Sequence, residues 1–201
     1  MTERAVVCLV ESKFDGESLR ILIHRVWERV PHFELPRVIP HVVPRGRVVQ
    51  EQEFKRRIEL AARAVGPSGA ALVVFDADDD CPAELGPRLR RWAAEARADL
   101  VVGVALAKYE MESWLIAGAE SLRDARGLAG DLSAPDQPET IRDAKGWLTR
   151  ARSDGQPYSA PVDQAGLMTR LDFDLARSRS DSMDKCLREI ALILGHSEAV
   201  S

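Results

Sequence analysis

The chain has 201 residues, of which 45% are hydrophobic and 30% charged, with a formal net charge of -4. That length and balance suit one ordinary domain with a sizeable core; they exclude a low-complexity chain, a coiled coil and a protein that coats DNA through a uniformly basic surface. Three cysteines (Cys8, Cys81, Cys186) and four histidines share no close spacing, which argues against a disulfide framework and a structural zinc site.

The first element is Ala5 to Val10, a continuous apolar and β-branched run that suits a central parallel strand covered on both faces. After Asp15-Gly16, Leu19, Leu22, Ile23, Val26, Trp27 and Val30 recur at helical spacing, and Pro31 closes that helix. Phe33 to Val43 reads as a strand interrupted by Pro36 and Pro40, and so as an edge strand, because proline donates nothing to a ladder. Pro44 to Arg47 turns the chain. A second helix carries Phe54, Ile58, Ala61 and Val65 on one face and stops at Gly66-Pro67. The third strand, Ala70 to Phe75, runs into Asp76-Ala77-Asp78-Asp79-Asp80, and its helix carries Leu85, Leu89, Trp92, Ala93 and Ala96.

Leu100 to Leu106 reads as the fourth strand, followed by a short helix through Trp114, Leu115 and Ile116. Alternating strands and helices over residues 5–119 predict a doubly wound α/β fold on a mostly parallel four-stranded sheet. Residues 120–201 read as a helical extension packed on the 1–119 core, with helices near Glu139 to Ala151, Val162 to Leu171 and Ser182 to Leu194. The longest apolar runs are far shorter than the roughly twenty residues of a membrane span, and Met1 to Arg4 shows no apolar leader. A soluble, cytoplasmic protein without a membrane partner is expected.

In open α/β sheets the functional crevice lies at the carboxyl ends of the strands, where the strand order reverses. The acids obey that rule: Glu11 follows the first strand, Asp76 and Asp78 the third, Glu110 and Glu112 the fourth. If the first and third strands are neighbours, Glu11 and the Asp76/Asp78 pair share a crevice. Crowded carboxylates stay ionised cheaply only around a cation, and hard oxygen donors suit Mg²⁺ or Mn²⁺. The candidate ligands are Glu11, Asp76, Asp78 and Glu112, with Glu112 preferred to Glu110 because it opens the Glu-Ser-Trp-Leu helix. The competing reading makes the aspartates turn and cap residues. Trp114 reads as core, and Cys81, beside carboxylates and lacking a base, as inert. Lys13, Arg45 and Arg47 leave strand ends on the same rim and are candidates to pair with phosphate; each reads equally well as a solvated surface residue.

This order of motifs resembles the Toprim fold, the metal-binding domain of topoisomerases, primases and the overcoming-lysogenization-defect nucleases, in which a Glu follows the first strand and an Asp-x-Asp the third. Here these are Val10-Glu11 and Phe75-Asp76-Ala77-Asp78. Over nearly the whole chain the sequence is similar to the bacterial Toprim-like family of unknown function numbered 4276. Glu112-Ser113-Trp114-Leu115 looks like its Glu-x-Trp-Leu segment, Lys145 and Tyr158 like its downstream Lys and Tyr, and Asp172 to Ser182 like its terminal Arg/Ser-rich motif. The chain departs from the pattern at Ser12, where a Gly usually follows the first Glu, and at Met183, where an aromatic is common.

The resemblance implies a Mg²⁺-dependent nuclease-like protein acting on nucleic acid, associated with an ATPase of the SMC/ABC type in bacterial defence. It casts Glu11, Asp76 and Asp78 as catalytic, with Glu112 as a further ligand and Lys145 on phosphate. A homo-oligomer is compatible with it. A haloacid-dehalogenase-type phosphohydrolase places its Asp-x-Asp on the opening strand and a receiver domain needs two acids after strand one, so the order of motifs disfavours both. From another class, a noncatalytic metal-binding or regulatory subunit of such a complex fits Ser12 and the acidic balance.

Overall fold

The computed structural model describes residues 4–29 and 35–196. Within them four strands, β1 (Ala5–Val10), β2 (Arg37–Val42), β3 (Ala70–Asp76) and β4 (Val101–Ala107), form one all-parallel sheet in the order β2-β1-β3-β4. The chain is therefore an α/β protein wound on both faces of its sheet. Every residue of β1 is buried, as is β3 up to its last residue, which is why both read as unbroken apolar runs. Pro40 sits in β2, at the sheet's edge, where a missing N–H costs no ladder bond to a further strand.

Helix α1 (Lys13–Trp27) packs Leu19, Leu22, Ile23 and Val26 against Val6, Cys8, Val10, Leu72 and Val74 on one face. A one-turn helix, α2 (Arg45–Val48), stands where a plain turn was expected and leads into α3 (Glu51–Val65). Together with α4 (Pro82–Ala96), α3 covers the other face, with Phe54, Ile58, Leu85 and Leu89 on Val7, Leu9, Val73 and Phe75. The alternation of the strands sorts these side chains between the two layers. After β4, which lies one residue later than expected, come α5 (Glu112–Ala117), α6 (Ala144–Arg150), α7 (Ala165–Arg170), α8 (Phe173–Arg177) and α9 (Asp181–Leu194). Trp114, Phe173, Leu187 and Ile190 belong to the same apolar cluster as Val6 and Cys8, so residues 120–194 complete the first layer.

Several boundaries depart from the sequence reading for identifiable reasons. Val30, Pro31 and Phe33, expected to end α1 and begin β2, lie outside the described residues. The helix expected from Glu139 is a 3₁₀ turn, Pro138–Thr140, and α6 starts only after Asp143, whose carboxylate accepts from Gly146 N–H at 2.8 Å. The helix expected from Val162 opens as a π-helical turn, Ala160–Gln164, before α7. Helix α8 was not anticipated; Asp172 caps it through the N–H groups of Asp174 and Leu175. No helix among the described residues is long and apolar enough to cross a membrane.

The outer edge of β4 is guarded by a charge. Helix α9 lies close to it because Gly103 has no side chain: a Cβ there would come within 3.1 Å of Ile193 and Leu72. This approach brings the buried Glu189 to the edge. Its carboxylate accepts from Val104 N–H at 3.3 Å and pairs with Arg90 and Lys185, each at 2.5 Å. A buried charge facing an edge strand prevents pairing with another chain. Replacing Glu189 by Ala strands Val104 N–H and two cations; since both cations reach solvent, a loss of about 2–3 kcal/mol is expected, measured by urea denaturation. A variant within about 0.5 kcal/mol of the parent would show that Glu189 holds nothing together.

Candidate functional site

The site grows from strand register. Leu9 lies level with Val73, so Glu11, two residues on, reaches the end of β3. There Glu11 Oε1 accepts from Asp76 N–H at 3.0 Å, while Asp76 Oδ1 accepts from Met111 N–H at 2.8 Å. Three strand ends are thus tied through two carboxylates. Around them Ala77 N–H donates to Ala107 O at 2.8 Å and Asp78 N–H to Tyr109 O at 3.3 Å. Asp78 (φ 48°) and Tyr109 (φ 62°) adopt left-handed backbone in these tight exits; Asp tolerates it, whereas for Tyr it is uncommon and strained.

Glu112 opens α5 and is only 3% exposed. Its Oε2 lies 3.5 Å from Lys145 Nζ, and its Oε1 accepts from the Tyr158 hydroxyl at 3.3 Å. Lys145 also pairs with Glu110 at 2.7 Å, and Glu110 accepts from Ala144 N–H at 2.9 Å at the start of α6. The extension therefore folds back over the strand ends and delivers one ammonium to the acids.

These acids lie uneasily together. Burial first, then the nearby charges of Glu112 and Glu11, push the Asp76 carboxyl up to about 8, against the pull of Lys145. Burial also raises Glu11, offset by the Asp76 N–H, and raises Glu112, offset by Lys145. Burial opposes the Lys145 charge, yet Glu112, Glu110 and Asp76 outweigh it and hold the ammonium above its ordinary range. The Tyr158 phenol is raised by burial and by Glu112, so it acts as a hydrogen-bond donor.

Asp15 and Gln164 join this group without having been singled out from the sequence. Ser12 caps α1: its hydroxyl accepts from Asp15 N–H at 3.2 Å, and Asp15 Oδ2 accepts from Ser12 N–H at 3.0 Å. Asp15 Oδ1 accepts from Gln164 Nε2 at 3.1 Å. Ser12-x-x-Asp15 is a visible capping-box pattern, but nothing local points to Gln164. Ser12 also has an extended backbone (φ -132°), so its place after Glu11 does not require a glycine.

The other expected residues divide. Asp78 does not turn inward: it is exposed and pairs with Arg45 at 3.2 Å, although its charge still reaches Glu11. Arg45 faces the protein rather than a phosphate. It donates to the carbonyls of Asp76 at 2.9 Å and Ala77 at 2.7 Å and pairs with Asp80, fastening the β3–α4 loop. Lys13 is exposed, with its ammonium 5.0 Å from the centre of the Phe14 ring, and Arg47 is exposed on α2. Trp114 is fully buried, donating to Ser182 Oγ at 2.8 Å, as a core residue should.

No family model, curated protein or solved structure matches this chain.

The donor set at the strand ends is entirely carboxylate oxygen, which fits a hard divalent cation. Among the described residues no three His, Cys, Asp or Glu side chains are gathered in ligating geometry. Mg²⁺ is compatible with that, since it commonly takes one or two protein carboxylates and keeps several waters. Glu11 and Asp76 are the pair that would hold it, with Glu112 behind them.

A folded-state pKa raised above the unfolded value means that the native chain favours the protonated acid. The contribution of Asp76 to stability without metal should be full below about pH 4, fall as pH rises toward 8, and level off above. Asp76→Asn keeps an acceptor for Met111 N–H and removes the charge. At pH 8.5 in EDTA it should stabilise the fold by about 1–3 kcal/mol, with no gain at pH 3.5. Thermal unfolding across that range checks it; equal stabilities at pH 8.5 would mean that Asp76 is at ease among its neighbours.

Proposed function

We propose that the chain is a Toprim-like, divalent-metal-dependent protein that cleaves phosphodiester bonds in nucleic acid, acting with an ATPase of the SMC/ABC type in bacterial defence. The observation that carries the reading is the meeting of Glu11, Asp76 and Glu112 at the carboxyl ends of parallel strands, where burial and the two neighbouring acids push Asp76 up to about 8 against the pull of Lys145. Perturbed carboxylates gathered in the crevice at strand ends mark a functional-site candidate, and a bound cation is a means of relieving their repulsion.

In this reading Glu11 and Asp76 hold Mg²⁺ or Mn²⁺. When bound, the ion supplies positive charge that stabilises negative charge developing on the phosphoryl oxygens. The chain's own groups do the rest. The Met111 and Asp76 N–H groups fix the two carboxylates against the strand ends. Glu11 has one of two roles, ligand to the ion beside Asp76 or, when not ligating, acceptor of a proton from an attacking water, for which its raised proton affinity equips it. Tyr158 and Lys145 hold both oxygens of Glu112. Arg45 fixes the loop carrying Asp78. Of the cations expected on phosphate, Lys13, at the start of α1, and Arg47, in α2, are the two exposed ones that remain to meet the phosphate backbone.

One observation favours a second reading, a noncatalytic regulatory subunit: Lys145 already supplies the acids with a counter-charge from within the chain. Purified protein incubated with plasmid DNA, single-stranded DNA or RNA plus Mg²⁺ or Mn²⁺ separates the two. Metal-dependent cleavage is expected, falling roughly 100-fold or more in Asp76→Asn and Glu11→Gln. No cleavage under any condition, alone or with the ATPase, selects the regulatory subunit. Turnover of small phosphomonoesters with nucleic acid left intact would select a phosphohydrolase.

A further inference from the structure

Helix α4 carries Gly86-Pro87 in its interior, the two residues least suited to that position. The acid cluster uses neither. Pro87 has no N–H, so the Ala83 carbonyl lacks its helical donor. Gly86 presents no side chain, and a Cβ built there meets nothing within 4 Å. Both residues border a cavity of about 590 Å³ between α4, the outer edge of β4 and the first turn of α9. This is the size of a small-molecule site. Its lining is mainly apolar, including Val104, Leu106 and Pro87, and Lys108 and Cys81 also border it.

The charges around the cavity are unequal. Arg90 and Lys185 are committed to Glu189, and Glu139 accepts hydrogen bonds from Ser180 and Ser182. Lys108 is half-buried, and its ammonium has no ion-pair or hydrogen-bond partner among the described residues. Asp181, also without a side-chain partner there, is open to solvent. An apolar space containing an uncompensated cation attracts a molecule with an apolar body and one negative group.

We propose that this cavity is a binding site for a small amphipathic anion, an apolar ring system bearing one carboxylate, sulfonate or phosphate that pairs with Lys108. An added peptide strand fits less well. Ala107 O faces β3, so by strand alternation Val104, Leu106 and Lys108 direct their main-chain groups to the open edge. Glu189 occupies Val104 N–H and Ser182 Oγ lies 3.4 Å from Lys108 N, leaving Leu106 alone between them. The site shares no lining residue with Glu11, Asp76 or Glu112 and stands whatever becomes of the metal reading.

Cys8 and Cys186 are buried and Cys81 is exposed, so the chain carries its own reporter thiol. Titration of the full chain with anilinonaphthalene sulfonate should show one saturable site and slow the alkylation of Cys81. Phenylnaphthylamine, the same rings without the sulfonate, should bind about tenfold more weakly, and Lys108→Met should erase that difference. Gly86→Phe and Gly86→Leu each put a side chain on the cavity wall and take up part of its space; both should weaken dye binding while leaving the melting temperature equal or higher. The proposal is overturned by absent binding, by equal affinity for the two probes, or by dye binding that a folded Gly86 variant leaves unchanged. The Lys108→Met comparison decides alone if neither Gly86 variant folds. Binding of extended peptides in preference to the dye would make the edge a strand acceptor and overturn it too.

Discussion

The structure around the strand ends depends on one constraint: carboxylates removed from water and placed side by side must find positive charge or give up ionisation. Glu11, Asp76 and Glu112 are brought together by backbone geometry, because parallel neighbours in register end on the same crest. The two main-chain N–H groups that fix Glu11 and Asp76 supply direction but only partial charge. Lys145 is the one full positive charge whose pull is felt at both Asp76 and Glu112. It sits 3.5 Å from Glu112 and closer to Glu110, so its help to Asp76 comes through space without a contact. The cluster is under-neutralised at its centre and better neutralised at its rim.

That imbalance gives the surrounding contacts a common logic. Arg45 lies near enough to lower Glu11, yet its guanidinium spans the carbonyls of Asp76 and Ala77 and the exposed Asp78 and Asp80. It braces the loop from outside, leaving the crevice wall acidic. The left-handed Tyr109 turns the chain sharply enough for Met111 N–H to reach Asp76. A strained residue that aims a backbone donor at a half-buried acid is a reasonable arrangement where position matters more than stability. Lys145 can then be read as the cation that keeps the cluster tolerable, and the two functional readings differ in whether it is the final one.

Strands and layers were legible in the sequence because a buried parallel strand is apolar along its whole length: β1 and β3 could hardly be anything else. Pro36 before β2 and Pro40 within it placed the strand at an edge, and Gly66 ended α3 where expected. Glu11 and Asp76 were legible for the same reason, since the ends of such strands are visible and function gathers there. What was hidden is whatever depends on side chains meeting across large sequence separations. Arg45 appears identical in sequence whether it faces solvent or clasps a loop thirty-odd residues away. Asp78 looks equivalent to Asp76, and strand alternation alone would put both on one face, but β3 ends at Asp76 and a left-handed backbone sends Asp78 outward. Gln164 had no signal because its position follows from a π-helical turn that periodicity cannot reveal. Lys145 and Tyr158 were marked only by the family resemblance.

The two edges of the sheet face opposite demands from the same physics. An open edge invites another strand and must be blunted. At β2 this falls to a proline inside the strand, which removes a donor outright. At β4 it falls to Glu189 and Ser182, side chains that reach the strand from α9. A side-chain guard has a consequence that a proline lacks, because it requires a helix beside the edge and so creates a wall. With α4 thinned at Gly86 and Pro87 opposite that wall, blunting the edge leaves a half-open cleft rather than flat surface. Ser182, one of the side chains that discourage a strand from joining β4, therefore lines the cavity together with Val104, Arg90 and Lys185, the donor and the cations that Glu189 holds from behind.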